Sequence, residues 1–248
     1  EGFEAIYMPG AGTPASRLGW PDVGLLTMTE MADNAQRIAE ASGLPLIADA
    51  DTGYGGPLNV QRTIRTYERA GVSALHIEDQ NWPKRCGHLE GKTLIPAEEM
   101  AAHLRAACDA RLDQDFVIIA RTDGLDIANW CANVSEISNA KAKVRPNTSH
   151  SGRSPLNPSS SPRPMEQLQA IPKMLNVPTL YNMASSGKTP FLTADEMQEL
   201  GFRLVIYPNF MLMAAIPAMT RVLHELKRTG SIKGMLNEVA SFTEFFDL

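Results

Sequence analysis

Two aspartates one residue apart, Asp49 and Asp51, close the apolar run Leu46-Ile47-Ala48 and open the glycine-rich turn Thr52-Gly53-Tyr54-Gly55-Gly56. In a strand, side chains alternate faces, so both carboxylates are expected on one face. Carboxylates that close repel unless a proton or a cation lies between them. A hard divalent cation such as Mg²⁺, or Mn²⁺, suits their oxygens. Glu78 ends the next apolar run, in His76-Ile77-Glu78-Asp79-Gln80, on the face it shares with His76. It can add a third carboxylate to such a shell. Arg121 ends the run after that, in Ala120-Arg121-Thr122-Asp123, and a strand-end arginine is a natural fork for a substrate carboxylate. Each of these residues, taken singly, reads equally well as part of a structural ion pair. Three successive strands that end in charged groups point to a site.

A second cluster lies in the loop Pro83-Lys84-Arg85-Cys86-Gly87-His88. A cysteine flanked by Lys, Arg and His has positive surroundings, which favour the thiolate and make the thiol usable as an acid or a nucleophile. Gly87 and Gly91 give the loop freedom to move over a site. Cys108 and Cys131 have no such setting, and Cys108 is expected in the core.

The elements that must position these groups follow from hydrophobic periodicity. Short apolar runs at Ala5–Met8, Leu46–Asp51, Ser73–Asp79, Phe116–Thr122, Pro178–Met183 and Arg203–Pro208 read as strands. Between them lie helical patterns. Thr27 with Glu30 forms a capping-box signature before a helix to Ala41. Val60, Ile64 and Tyr67 share one face of a helix that Gly71 ends. A helix from Pro96 runs to Arg111, and others cover Met165–Lys173 and Thr193–Leu200. Pro217 marks a kink or a helix start in the long helical tail. Strands alternating with helices of this length imply βαβ units and a parallel sheet. Ligands then sit at the carboxyl ends of the strands.

The 248 residues, 44% of them hydrophobic, suit one α/β domain over 1–248. A net charge of −5 argues against a nucleic-acid or anionic-membrane partner. No apolar run reaches the roughly 18 residues of a membrane span. Three cysteines make no disulfide framework, so a reducing compartment is expected. The expected location is cytoplasmic, with a mitochondrial one left open because the natural N-terminus is expected upstream of Glu1. One stretch breaks the pattern. Lys143–Pro164 holds five of the chain's 17 prolines and six serines, with no acid. Pro146, Pro155, Pro158, Pro162 and Pro164 are expected to exclude a continuous helix or a central strand.

The combination of Asp49-x-Asp51-Thr52-Gly53-Tyr54-Gly55, His76-Ile77-Glu78-Asp79-Gln80, Lys84-Arg85-Cys86-Gly87-His88 and Ala120-Arg121-Thr122-Asp123 resembles the isocitrate lyase/phosphoenolpyruvate mutase superfamily. Tyr7-Met8-x-Gly10-Ala11-Gly12, Gly19-Trp20-Pro21-Asp22, Tyr181-Asn182-Met183 and Gly187-Lys188-Thr189-Pro190 extend the likeness. The resemblance implies a (β/α)₈ TIM-type barrel and a homotetramer of paired subunits that exchange C-terminal helices. It implies Mg²⁺ on Asp51 directly, with Asp49 and Glu78 in the shell largely through water. It further implies a small 2-oxo or 2-hydroxy di- or tricarboxylate substrate and an enolate-type intermediate stabilised with the help of Arg121. Backbone N–H groups at Gly10 and Ala11 would hold the substrate carboxylate, and Tyr7, Asp22 and Asn182 match other pocket positions. A cysteine in this loop goes with carbon–carbon lyases and oxaloacetate hydrolases. Cys86 would then be the general acid, with Lys84 and His88 tuning it and closing the loop. The alternatives are a carboxyphosphonoenolpyruvate-type phosphonomutase and a catalytically decayed paralogue.

The chain departs from the family pattern in several places. Pro9 stands where a Ser or Thr is usual, and Ala184-Ser185-Ser186 stands where methylisocitrate lyases favour Thr-Glu, which favours a smaller diacid. The first strand of the barrel is missing. Residues 127–164 show neither the fifth helix nor the sixth strand with its terminal Glu; Ser160 or Ser161 lies nearest that position. The segment reads as disordered or as translated out of frame. With six recognisable strands, the chain as written is expected to fold poorly.

Overall fold

The computed structural model describes residues 2–86, 92–122, 144–148, 164–175, 177–184 and 190–246. Contacts group the chain into two compact units, Glu1–Pro208 and Asn209–Leu248.

The first unit is built on a parallel sheet. Its strands are β1 (Ile6–Met8), β2 (Leu46–Asp49), β3 (Ala74–Glu78), β4 (Val117–Thr122), β5 (Val144–Thr148), β6 (Leu180–Asn182) and β7 (Leu204–Ile206), hydrogen-bonded in that order. The helices are α1 (Gly12–Leu18), α2 (Met28–Ser42), α3 (Pro57–Arg69), α4 (Ala97–Ala110), α5 (Pro164–Met174) and α6 (Ala194–Glu199). Sequential, parallel order is the topology of a β/α barrel wall. Among the described residues β1 and β7 are its two edges.

Local sequence explains most of the element ends. The Thr27 hydroxyl accepts from Glu30 N–H while the Glu30 carboxylate accepts from Thr27 N–H at 2.8 Å, a complete capping box for α2. Thr27→Ala is expected to cost about 1 kcal/mol of stability. A denaturant titration checks this, and turnover should stay unchanged. Gly56 and Pro57 open α3, and its face of Val60, Ile64 and Tyr67 is fully buried. Gly71, at φ 78°, turns the chain out of that helix.

Alternation divides each strand between two faces. Leu46, Ala48, Leu75, Ile77, Ile118, Ala120 and Tyr181 join the large core that also takes in the helices' apolar faces. Ile47, Ala74, Ile119, Leu180 and Ile206 form a second, smaller cluster, with Tyr7, Val117 and Leu204 against it. Two positions further along the same strands, that second face turns polar: Asp49, His76, Arg121 and Asn182 follow Ile47, Ala74, Ile119 and Leu180.

Three expectations are corrected. A strand does form in the proline-rich stretch: β5 pairs with β4 from Ile118↔Val144 to Thr122↔Thr148. The sheet therefore has seven strands, one more than the sequence pattern displays. The reason is tertiary. β4 and β6 both need a partner for their ladder groups, and backbone pairing does not require apolar side chains. Pro146 supplies no N–H, and pairing with β6 begins only after it, at Asn147↔Leu180. No glutamate ends β5; Ser160 and Ser161 lie outside the described residues. Second, the strand carrying Asp49 stops there, and Asp51 sits in the turn at φ 46°. Third, of the two roles left open for Pro217, the helix start is excluded, because it lies inside a helix.

That helix belongs to the second unit: α7 (Phe210–Thr229), followed by a 3₁₀ turn at Lys233–Met235 and α8 (Phe242–Phe246). No residue of α7 is buried, and Met211, Ile216, Met219 and Leu223 are exposed. No helix among the described residues is long and apolar enough to cross a membrane.

Candidate active site

The polar layer sits at the carboxyl ends of β2, β3 and β4, and the register sets who meets whom. Asp49 pairs with His76 and Glu78 with Arg121 across parallel strands. Strand alternation puts Asp49, His76, Glu78 and Arg121 on one face, all buried. Asp51 reaches the same place by another route than the shared strand face expected from sequence. The left-handed turn at Asp51 directs its own N–H to Asp49 Oδ1 at 2.8 Å. This folds the two carboxylates together.

Two cations answer the acids. Arg121 Nη1 is 3.1 Å from Glu78 Oε2 and 3.9 Å from Asp49 Oδ2. Lys84 Nζ lies 2.5 Å from Asp22 Oδ1 and 2.6 Å from Asp51 Oδ1. Both contacts are buried or nearly buried ion pairs. Burial opposes the charge on Lys84, but Asp51, Glu78, Asp49 and Asp22 together hold its pKa well above the usual value. Burial likewise disfavours the charge on Asp49. His76, Lys84 and Arg121 beside it and the Asp51 N–H outweigh it and keep Asp49 below the usual carboxylate range. Asp51 goes the other way: burial, with Asp49 and Asp22 nearby, pushes it up to about 6 against the pull of Lys84.

Lys84 was expected to act on the Cys86 thiol; its ammonium is instead spent on Asp22 and Asp51. The loop is tied to the sheet through the same region. Cys86 N–H donates to the Asp22 carbonyl at 3.1 Å. Cys86 itself is half-buried. Cys108 is half-buried against the large core, and burial pushes its thiol up to about 11. His88 and Cys131 lie outside the described residues.

The remaining expected site residues also fall around this layer. The Tyr7 hydroxyl is 2.8 Å from His76 Nε2, and burial, then Asp49, pushes its pKa well above the usual value. Asn182 ends β6 with its buried Oδ1 lacking a hydrogen-bond partner. Gly10 does not present a free N–H for a substrate carboxylate; that group donates to Asp49 Oδ2 at 3.0 Å. Ala11 follows as the N-cap of α1. A Cβ on Gly10 would lie 2.4 Å from Asp49 Oδ2 and 3.4 Å from Lys84 Nζ. Gly10→Ala must therefore displace the carboxylate. Activity is expected to fall about 10²-fold while the protein still folds, as steady-state kinetics alongside circular dichroism would show.

No three described His, Cys, Asp or Glu side chains already form a group ready for a metal ion. Asp51 holds Lys84, and Glu78 holds Arg121. The residues nonetheless fit a divalent cation. Among the described residues, four carboxylates (Asp22, Asp49, Asp51 and Glu78) gather around two fixed cations, Lys84 and Arg121. Its donors are hard oxygens, the kind a divalent cation such as Mg²⁺ prefers.

Sequence reasoning gave no role to His76 or Gln80. His76 bridges Tyr7 and Asp49, with its Nε2 3.5 Å from Asp49 Oδ2. The period-2 pattern that put His76 on the face of Glu78 was the available signal. Gln80 lies past the strand, where periodicity says nothing.

The chain is similar to known proteins over nearly all of its length. A family model described as phosphoenolpyruvate phosphomutase matches residues 1–227. The chain is 41% identical to 2,3-dimethylmalate lyase of Eubacterium barkeri over 247 residues, covering 100% of this chain and 82% of that protein. It is also 41% identical to the chloroplastic carboxyvinyl-carboxyphosphonate phosphorylmutase of Arabidopsis thaliana, covering 100% and 71%. The structure of oxaloacetate acetylhydrolase with 3,3-difluorooxalacetate aligns with a TM-score of 0.85 at 36% identity, over 99% of this chain and 81% of that one. The chain belongs to the phosphoenolpyruvate mutase/isocitrate lyase superfamily.

Proposed function

We propose that the protein is a divalent-metal-dependent enzyme that cleaves or hydrolyses a carbon–carbon bond of a small 2-hydroxy or 2-oxo diacid. One observation carries the reading. Asp49, Asp51, Glu78, Lys84 and Arg121 converge on one buried layer, and the loop holding Cys86 is hydrogen-bonded to Asp22, which shares that layer. Metal dependence is typical of the family. Asp51 would hold the ion, with Asp49 and Glu78 behind it. When bound, Mg²⁺ or Mn²⁺ would supply Lewis acidity toward the substrate's oxygens.

The chain's own residues do the rest. Arg121 presents its guanidinium to the substrate carboxylate or to the oxyanion that develops as the bond breaks. The buried layer excludes water, so these charges act at low dielectric. Asn182 Oδ1 offers an unused acceptor to a substrate hydroxyl. Cys86 delivers a proton to the departing carbon fragment, which leaves with the bonding electron pair. Lys84 balances Asp22 and Asp51 and keeps the loop's root over the site. Pro9 and Ala184 take donor positions out of the pocket, which favours a small diacid over a tricarboxylate. The exposed apolar positions of α7 suit the homotetramer implied by the family.

The test is turnover. The purified protein with Mg²⁺ is offered 2,3-dimethylmalate, 2-methylisocitrate, oxaloacetate and a phosphonate, and the products are followed by NMR. Cleavage of a diacid that stops on adding EDTA is expected. Turnover of the phosphonate alone selects the mutase reading, which the 41% identity to the Arabidopsis enzyme keeps in view. No turnover and no Mg²⁺ binding by calorimetry selects the decayed paralogue.

A further inference from the structure

Gln80 follows β3 and is 2% exposed. Its side-chain amide makes two hydrogen bonds to Arg85 of the cysteine loop. Nε2 donates to the Arg85 carbonyl at 2.9 Å, and Oε1 accepts from the Arg85 N–H at 3.0 Å. The amide thus does for Arg85 what a neighbouring strand would do.

The consequence falls on the next residue. The Arg85 carbonyl and the Cys86 N–H belong to one planar peptide unit. Gln80 grips the carbonyl end, and the Asp22 carbonyl grips the N–H end at 3.1 Å. With both ends of its dipole held, that plane is fixed, and with it the position of the Cys86 Cα that carries the thiol. The start of the loop is anchored as well. Asn81 N–H donates to Thr93 O at 2.8 Å, Ile95 N–H donates to Asp79 O at 2.9 Å, and Gln80 bridges Leu94 antiparallel. Gln80 therefore stands on a fixed base and reaches five residues into the loop.

We propose that Gln80 is the positioning residue for the Cys86 thiol; this rests on Cys86 being the general acid. The amide is needed because only an amide offers a donor and an acceptor on one planar group. A glutamate would turn a second acceptor on the Arg85 carbonyl, and a methionine of similar length would leave both backbone groups unserved.

The experiment uses the full chain with Mg²⁺ and the variants Gln80→Met, Gln80→Glu, Cys86→Ser and the double variant Gln80→Met/Cys86→Ser. Two readouts are taken: kcat and KM for the diacid that the wild type cleaves, and the iodoacetamide alkylation rate of Cys86, resolved from Cys108 by peptide mass spectrometry. In Gln80→Met, kcat should fall about 10²-fold with KM within about threefold. Cys86 alkylation should change about fivefold or more while that of Cys108 stays constant. The double variant should be no slower than Cys86→Ser alone. A Gln80→Met kcat within about twofold of wild type, or losses that multiply in the double variant, overturn the proposal. If Gln80→Met does not fold, Gln80→Glu is judged by the same criteria. If the wild type cleaves no diacid, the functional reading fails by itself. The alkylation rate then decides alone: an unchanged rate in the folded variant overturns the clamp, and a changed one supports it.

Discussion

Cys86→Ser is expected to lower kcat for diacid cleavage by about 10²–10⁴-fold, the range for losing a positioned general acid. A serine hydroxyl occupies nearly the same volume but is a far weaker acid than a thiol. The substitution therefore removes the proton without removing the shape. KM should change little, because the substrate is held by the buried layer and not by the loop. Stability should stay within about 0.5 kcal/mol, since the side chain is only half-buried and fills no core position. Stopped-flow or steady-state kinetics with a thermal melt would check both. A Cys86→Ser enzyme with wild-type kcat would remove the thiol from the reaction and leave the loop a purely protective role.

Arg121→Met should be the most damaging single change to both stability and activity. The guanidinium lies 3.1 Å from Glu78 Oε2 in a layer that is almost closed to water. Removing it strands a buried carboxylate that also feels Asp49. The cost of breaking such a pair from one side is about 3–5 kcal/mol. Activity should fall about 10²–10³-fold, as expected when a stabiliser of developing negative charge is lost. Arg121→Lys separates the two effects. It keeps a positive charge near Glu78, so the melting temperature should largely recover. Its point charge cannot reproduce the planar fork, so kcat should stay low. If Arg121→Lys recovers kcat as fully as stability, the arginine is an ion-pair partner and nothing more.

Gly10→Ala acts on the same layer from the other side. Whereas Arg121→Met removes a charge, Gly10→Ala leaves every charge in place and moves one of them. Losses of similar size from the two would show that the geometry of Asp49 matters as much as the charge balance around it.

The amino-acid sequence by itself carried the alternation of strand and helix, the capping box of α2 and the buried face of α3, because these depend on neighbours one to four residues away. It also carried the charged strand ends, since a period of two puts His76 and Glu78 on one face; the register with β4 then brings Arg121 to it. The family motifs, read in order, pointed to the superfamily that the comparisons then showed. Where reach along the chain exceeded local pattern, only the tertiary structure decided. Val144–Thr148 has a loop's composition, yet it becomes β5 because β4 and β6 present unpaired ladders to it. Asp51 meets Asp49 through a left-handed turn that alternation does not encode. Lys84 sits one residue from Arg85 and two from Cys86, so sequence placed its charge on the thiol. The fold carries it to Asp22 and Asp51, because a buried ammonium settles where the carboxylates are. Gln80 read as the plain end of a strand until its amide was found on Arg85.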